Sequence, residues 1–307
     1  DIAVIDIGKT NKKVLVYSDS LALKESAYES FPDYEKNGIR YENPEGAFAW
    51  VKDQLKTFSK AYNIRAVSVT THGATAACLD SRGELAVPVI AYTTEATPEF
   101  REEFFRTFGD PVELQQETAT AEIGSLVNIG KILFFAQKQW PEKFADIHTI
   151  LNYPQYFGYL LTGNTGAEPT YVGCHTYLYD FRNSRYSDVA AKLGVTDKLP
   201  AKLNRPWDTL GCISPAVAAE TGLPEDCIVT LGIHDSNASL LPYLVKGYED
   251  FVLNSTGTWC VEMHPAEAVN FNADELGKLV FYNLDAFSRP VKTSIFMGGL
   301  ERETYKD

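Results

Sequence analysis

Val4-Ile5-Asp6-Ile7-Gly8-Lys9-Thr10-Asn11-Lys12-Lys13-Val14-Leu15-Val16 sets a carboxylate, a glycine turn, side-chain donors and lysines between two β-branched apolar runs. Apolar strand, short polar turn, apolar strand is the pattern of an antiparallel hairpin. Backbone amides freed in a Gly-containing turn can converge on an anion. Gly8 makes the turn, Thr10 and Asn11 add side-chain donors, and Lys9 and Lys12 add positive charge, so the hairpin is expected to hold a phosphate. Asp6 closes the first run, where a carboxylate can hold a magnesium ion through waters against nucleotide phosphates. The same Gly, Thr and Asn also suit an ordinary solvated β-turn, and both readings stand at this point.

Outward from the hairpin, Leu23 to Phe31 reads as a third strand, and Ala47, Phe48, Val51, Leu55 and Phe58 fall on one helical face. Ala66 to Thr70 reads as a buried strand, and Ala76 to Asp80 as another that runs into the Ser81-Arg82-Gly83 turn. A helix from Ser125 carries Leu126, Ile129, Leu133, Ala136 and Trp140 and ends at Pro141. Further helices are predicted over Pro154 to Leu161, stopped at Gly163, over Ser187 to Leu193, and over Pro215 to Thr221, closed by Gly222. Cys227 to Gly232 is a strand that feeds Asp235-Ser236-Asn237-Ala238 and a helix. Phe251 to Met263 then repeats the opening design, which predicts two related lobes with a nucleotide in the cleft between them. The expected fold class is α/β with mixed sheets and flanking helices, a complete N-terminal lobe over 1–245 and a partial C-terminal lobe over 246–307.

Composition narrows the partners. The 307 residues carry 28 Lys and Arg against 41 Asp and Glu, a formal net charge of -13, with the acidic residues spread along the chain. Nucleic acid, which needs a basic face, is not expected. The 5 cysteines form no CxxC pair and are odd in number, so they read as reduced, mostly buried thiols. Cys174-His175 is set aside as a metal pair, because adjacent residues of a strand point to opposite faces. No apolar run approaches a membrane span, and strand begins at the first residues, so the expectation is no membrane partner and a cytoplasmic location. Oligomeric state is left open, a homo-oligomer included.

With these elements in place, the chain resembles the FGGY family of carbohydrate kinases, two-lobed enzymes of the actin and hexokinase (ribonuclease H-like) type. Asp6-Ile7-Gly8-Lys9-Thr10-Asn11 resembles the family's first phosphate loop, and Thr71-His72-Gly73 with Leu79-Asp80 and Gly83 its sugar-contacting segment. Tyr159-Leu160-Leu161-Thr162-Gly163 is similar to the helix end before the sugar-side subdomain. Gly232-Ile233-His234-Asp235-Ser236-Asn237-Ala238 resembles the segment of the catalytic aspartate, and Ser255-Thr256-Gly257-Thr258-Trp259 the second phosphate loop. Within the family these strings are most similar to rhamnulokinases, with L-fuculose kinases next. Many members carry a tryptophan and an aspartate where this chain has Ala91-Tyr92-Thr93-Thr94-Glu95.

The resemblance implies transfer of the γ-phosphoryl of ATP, with Mg2+, to a ketose or deoxy-ketose. Asp235 would be the general base, His72, Gly73, His234 and Ser236 the sugar contacts, and Asp6 the metal residue. Gly8, Lys9, Thr10, Asn11, Lys12, Gly257 and Thr258 would face the nucleotide. Each role has a plainer counterpart: Asp235 also suits a helix cap, His234 a packed core histidine, and Trp259 the core rather than a sugar platform. Two other functions share the scaffold, a catalytically silent sugar or nucleotide sensor and an actin-like ATPase module.

Overall fold

The computed structural model describes residues 1–256, 259–296, 298 and 305. Its opening hairpin pairs Ile2–Ile7 with Asn11–Tyr17, antiparallel, and sets Asp6 directly opposite Lys13. Side chains alternate across a strand, so Ala3, Ile5 and Ile7 turn inward together, as do Val14 and Val16 across from them. Each Ile or Val buried in this way stabilises the fold by about 1.5–3 kcal/mol. Lys12 falls in the inward phase with Val14 and Val16, whereas Asp6 and Lys13 fall in the other.

Leu23–Ser30 extends the hairpin antiparallel, and on the other side Ile2–Ile7 runs parallel to Ala66–Thr71. Ile228–Thr230 follows parallel to Ala66–Thr71, and Thr209–Cys212 closes that edge antiparallel. The sheet is therefore mixed, and helices Pro44–Phe58 and Tyr153–Thr162 pack on it and meet edge-on through Phe48 and Phe157. The first of these buries Ala47, Val51, Leu55 and Phe58, and Asn43 caps it by accepting from Gly46 N–H.

Gly232 decides where the functional segment lands. Its φ is +84°, and a Cβ there would lie 2.5 Å from Val69 O, so only glycine lets the chain kink this close to the neighbouring strand. The chain then rejoins Ala66–Thr71 at Ile233–His234, registered with Thr70 and Thr71, and turns directly into the helix Asp235–Val245. Asp6, Thr70 and Ile233 share one row across the sheet, and Ile7, Thr71 and His234 the next.

That helix ends under a second sheet, ordered Leu253–Thr256, Cys260–Pro265, Pro290–Phe296, Val280–Leu284 and antiparallel throughout. A small core of Leu240, Met263 and Val291 joins helix to sheet. The outer strand Val280–Leu284 is tied back to the first lobe: Tyr282 N–H donates to Ala119 O at 3.0 Å and Leu284 N–H to Gly173 O at 3.2 Å. Gln115 clamps the same strand, its Nε2 donating to Val280 O and its Oε1 accepting from Gly277 N–H, both at 2.7 Å.

Some elements depart from expectation. Helices Pro98–Phe108 and Pro111–Thr118, capped by Thr97 and Asp110, lie in a stretch with no predicted element. The helix expected from Ser125 begins at Ile129, because Ser125 takes a left-handed φ of 54° that a helix cannot contain. Cys227 to Gly232 forms a strand only over Ile228–Thr230. No helix among the described residues is long and apolar enough to cross a membrane. All 5 cysteines are free thiols, with Cys212 alone exposed.

Candidate functional site

A cavity of about 410 Å3 opens at the end of the central strands, walled by the Gly8–Thr10 turn, Asp6, His72 and Gly73, and the His234–Ser236 junction. Ser255, Thr256 and Trp259 of the second hairpin, with Phe281 and Asn283, face it from the other sheet. Gly257 and Thr258, expected to face the nucleotide, lie outside the described residues.

Asp235 stands at the strand-to-helix junction with its side chain 40% exposed to the cavity, open enough to meet a ligand. Its Oδ1 accepts from Ser236 N–H at 2.6 Å and from the Ser236 hydroxyl at 3.3 Å, and lies 3.2 Å from His234 Nε2. The helix begins at Asp235 itself, with His234 at the capping position, so Asp235 is not the cap before Ser236. His234 is buried, which holds its imidazole below the ordinary value and neutral. Asn237 Nδ2, 3.3 Å from His234 Nδ1, donates there, which leaves the proton on Nε2, the ring nitrogen nearer Asp235. His234 N–H in turn donates to Thr170 Oγ1, whose hydroxyl donates to the buried Glu168. Gly73 makes room for this arrangement, since a Cβ would come within 2.7 Å of His234 Nε2.

Asp6 faces the same cavity. Lys13 Nζ bonds its Oδ2 at 2.8 Å, and this hydrogen bond is the largest cause raising the Lys13 ammonium above its ordinary value. Asp6 Oδ1 has no hydrogen bond among the described residues, so a carboxylate oxygen is available for a magnesium ion held mainly by water and phosphate.

The other lysines of the turn are used differently from expectation. Lys12 is 2% exposed, and its ammonium donates to Gly8 O at 2.9 Å and Lys9 O at 3.0 Å. It staples the turn from inside and is withdrawn from any phosphate, because strand alternation aims it at the core. Lys9 borders the cavity but bonds Asp33 at 2.7 Å and the buried Glu42, with its ammonium 4.9 Å from the centre of the Tyr92 ring. Thr10 lines the cavity, whereas Asn11 is exposed at the start of its strand and is not among the lining residues.

Glu42 joins the phosphate turn to the sugar side. Burial alone would raise its carboxyl, but His72 and Lys9 outweigh that and hold it at about 2. His72 Nδ1 is 3.0 Å from Gly73 O, and its Nε2, 3.6 Å from Glu42 Oε1, is buried without a hydrogen-bond partner among the described residues, so His72 is a wall residue beside Glu42. Thr93 donates to Asp33 at 2.9 Å, and burial pushes the Tyr92 phenol well above its ordinary value. The Ala91–Glu95 stretch thus reaches the cavity through Tyr92, while Thr93 holds Asp33 beside Lys9.

Cys174 and His175 are not strand residues. They follow the short helix Pro169–Val172, His175 takes a left-handed φ of 40°, and both line the cavity. Trp259 borders the cavity while packing against the main core.

The Gly8–Thr10 turn on one sheet, strand residues of a second sheet facing it across the cavity, and a carboxylate at the mouth of a strand-to-helix turn form the arrangement expected of sugar kinases of the actin and hexokinase type. The family model described as FGGY family of carbohydrate kinases, N-terminal domain, matches residues 2–242, and that of the FGGY C-terminal domain matches residues 248–306. The chain belongs to the FGGY family of carbohydrate kinases. It is 24% identical over 262 residues to the rhamnulokinase of Halalkalibacterium halodurans, covering 83% of this chain and 54% of that protein. It is 24% identical over 203 residues to the L-fuculokinase of Escherichia coli, 66% of this chain and 42% of that protein. A carbohydrate kinase structure from Novosphingobium aromaticivorans superposes with a TM-score of 0.86 at 30% identity, over 99% of this chain and 64% of that one. The xylulose kinase of Lactobacillus acidophilus shares the fold with a TM-score of 0.82 at 17% identity, over 95% of this chain and 59% of that one. The chain spans about half the length of the curated relatives it matches.

Proposed function

We propose that the chain phosphorylates a ketose or deoxy-ketose of the rhamnulose kind from ATP, with Asp235 as general base. The observation that carries this reading is the Asp235 carboxylate, exposed to the cavity, with Oδ1 held by Ser236 and Oδ2 without a hydrogen bond among the described residues. The sugar hydroxyl gives its proton to Oδ2 as its oxygen bonds the γ-phosphorus in line. The bond from that phosphorus to the bridging oxygen breaks, and ADP leaves with the electron pair. Amides at the start of the Asp235–Val245 helix offer partial positive charge to the phosphoryl group. Asp6 is the residue that would hold Mg2+, which when bound offsets charge on the triphosphate. Gly8, Thr10, Ser255 and Thr256 flank the phosphates, and Gly73 and Ser236 lie on the sugar side with His234. The names rhamnulokinase and L-fuculokinase among the relatives support a deoxy-ketose acceptor.

Incubation with L-rhamnulose and Mg-ATP is expected to yield a sugar phosphate. Asp235→Ala should lower kcat by about 10²–10⁴-fold while sugar still binds. Turnover surviving that substitution removes Asp235 from the mechanism, and sugar binding without turnover by the unaltered protein favours a sensor.

A further inference from the structure

Buried polar atoms in folded proteins are hydrogen-bonded with few exceptions. An exception in a cavity wall asks for a ligand atom. Asn283 is 1% exposed, its Oδ1 is enclosed without a partner, and its side chain makes no hydrogen bond among the described residues. It reaches the cavity because residues two apart on a strand share a face. Phe281 sets its ring edge-on to His175, 5.7 Å between centroids, and Asn283 follows on the same side. His175 Nδ1 is enclosed without a partner as well, and burial pushes this imidazole down to about 3, so it is neutral.

The positive charges lining the cavity are answered from within the protein. Lys9 is taken by Asp33 and Glu42, and Lys13 by Asp6, so among the described lining residues no lysine or arginine is left for a ligand carboxylate. We infer that Asn283 is a specificity-determining residue whose amide takes a hydroxyl of a neutral polyhydroxy acceptor, a ketose or polyol rather than a sugar acid. The amide N–H donates to a ligand oxygen, and a turn of the amide on binding brings Oδ1, enclosed without a ligand, to accept from a ligand O–H. The bonds from Tyr282 and Leu284 to Ala119 and Gly173 hold the strand at the cavity, so Asn283 reads the sugar from the second sheet. This inference rests on the kinase reading for what fills the cavity.

Calorimetry of the chain with L-rhamnulose, L-fuculose and gluconate tests it, comparing the unaltered protein with Asn283→Ala and Asn283→Ser. The unaltered protein should bind a ketose and not gluconate. Asn283→Ala should weaken ketose binding by about tenfold or more, Asn283→Ser by less, with Tm and Mg-ATP affinity unchanged in both. Equal ketose affinity before and after Asn283→Ala, or a preference for gluconate, overturns the inference and leaves the kinase reading standing. Weakened binding accompanied by a lowered Tm in both variants also overturns it, by assigning Asn283 to the fold. Ketose binding without phosphoryl transfer by the unaltered protein overturns the kinase reading alone, and Asn283 is then judged by binding.

Discussion

Glu42→Gln removes one charge from the buried pair that links the phosphate turn to His72. The Glu42 side chain is 2% exposed, and its carboxyl is held at about 2 against an ordinary 4.5. At 1.36 kcal/mol per pH unit this is worth about 3 kcal/mol, and breaking a buried pair from one side costs about 3–5 kcal/mol because the partner is left unanswered. For a chain of this size the loss corresponds to a fall of roughly 5–10 °C in Tm. A carboxylate whose folded-state pKa lies below its unfolded one stabilises fully above about pH 4.5 and loses that contribution as pH falls toward 2. Urea denaturation of the unaltered and Glu42→Gln proteins between pH 3 and 8 is the assay. The variant should be less stable at pH 7, and the two should converge as the pH falls. Lys9→Met should also destabilise, and the double variant should fall short of the sum by about 1 kcal/mol or more, as coupled neighbours do. Equal stability at pH 7, or an acid limb unchanged in the variant, refutes the reasoning.

Other substitutions probe the junction and the turn. Gly73→Ala puts a Cβ within 2.7 Å of His234 Nε2, and displacing that ring should lower kcat/KM for the sugar by about 10²-fold, with KM for ATP unmoved. Steady-state kinetics at varied sugar and varied ATP measure this, and unaltered sugar kinetics contradict it. Lys12→Met leaves Gly8 O and Lys9 O without their donor and should cost about 1–3 kcal/mol in denaturant unfolding. A variant as stable as the original, or more so, means that relief of the buried charge outweighs the lost bonds.

The hairpin and the strand-to-helix junction were legible because each depends on neighbours in sequence, alternation in one and an Asp at a helix start in the other, whereas Gly73, read as a sugar contact, makes room for His234, far along the chain. Lys12 was legible by the same alternation, since it sits in phase with Val14 and Val16, yet its charge drew the reading toward phosphate. Helix Pro98–Phe108 carries its own signals, Thr97-Pro98 at the start and Gly109 at the end, with Phe100, Phe104 and Phe108 four apart. Glu42 carries none: its partner Lys9 lies 33 residues away, and only the folded sheet brings them together. Asn283 is similar, because what distinguishes it is a missing partner, a property of packing that no local pattern encodes. Cys174-His175 was set aside on the premise of a strand, and the irregular segment there brings both residues to the cavity.

The tie between strand Val280–Leu284 and the first lobe bears on how such a protein diverges. The strand that walls the acceptor cavity and the hairpin at Ser255 and Thr256 belong to the same four-stranded sheet. If the proposed roles of Asn283 and of Ser255 and Thr256 hold, recombination that exchanged this sheet between relatives would carry acceptor preference and donor handling together as one inherited block. It would also need matching partners at Gln115, Ala119 and Gly173, so the first lobe constrains which sheets it can accept.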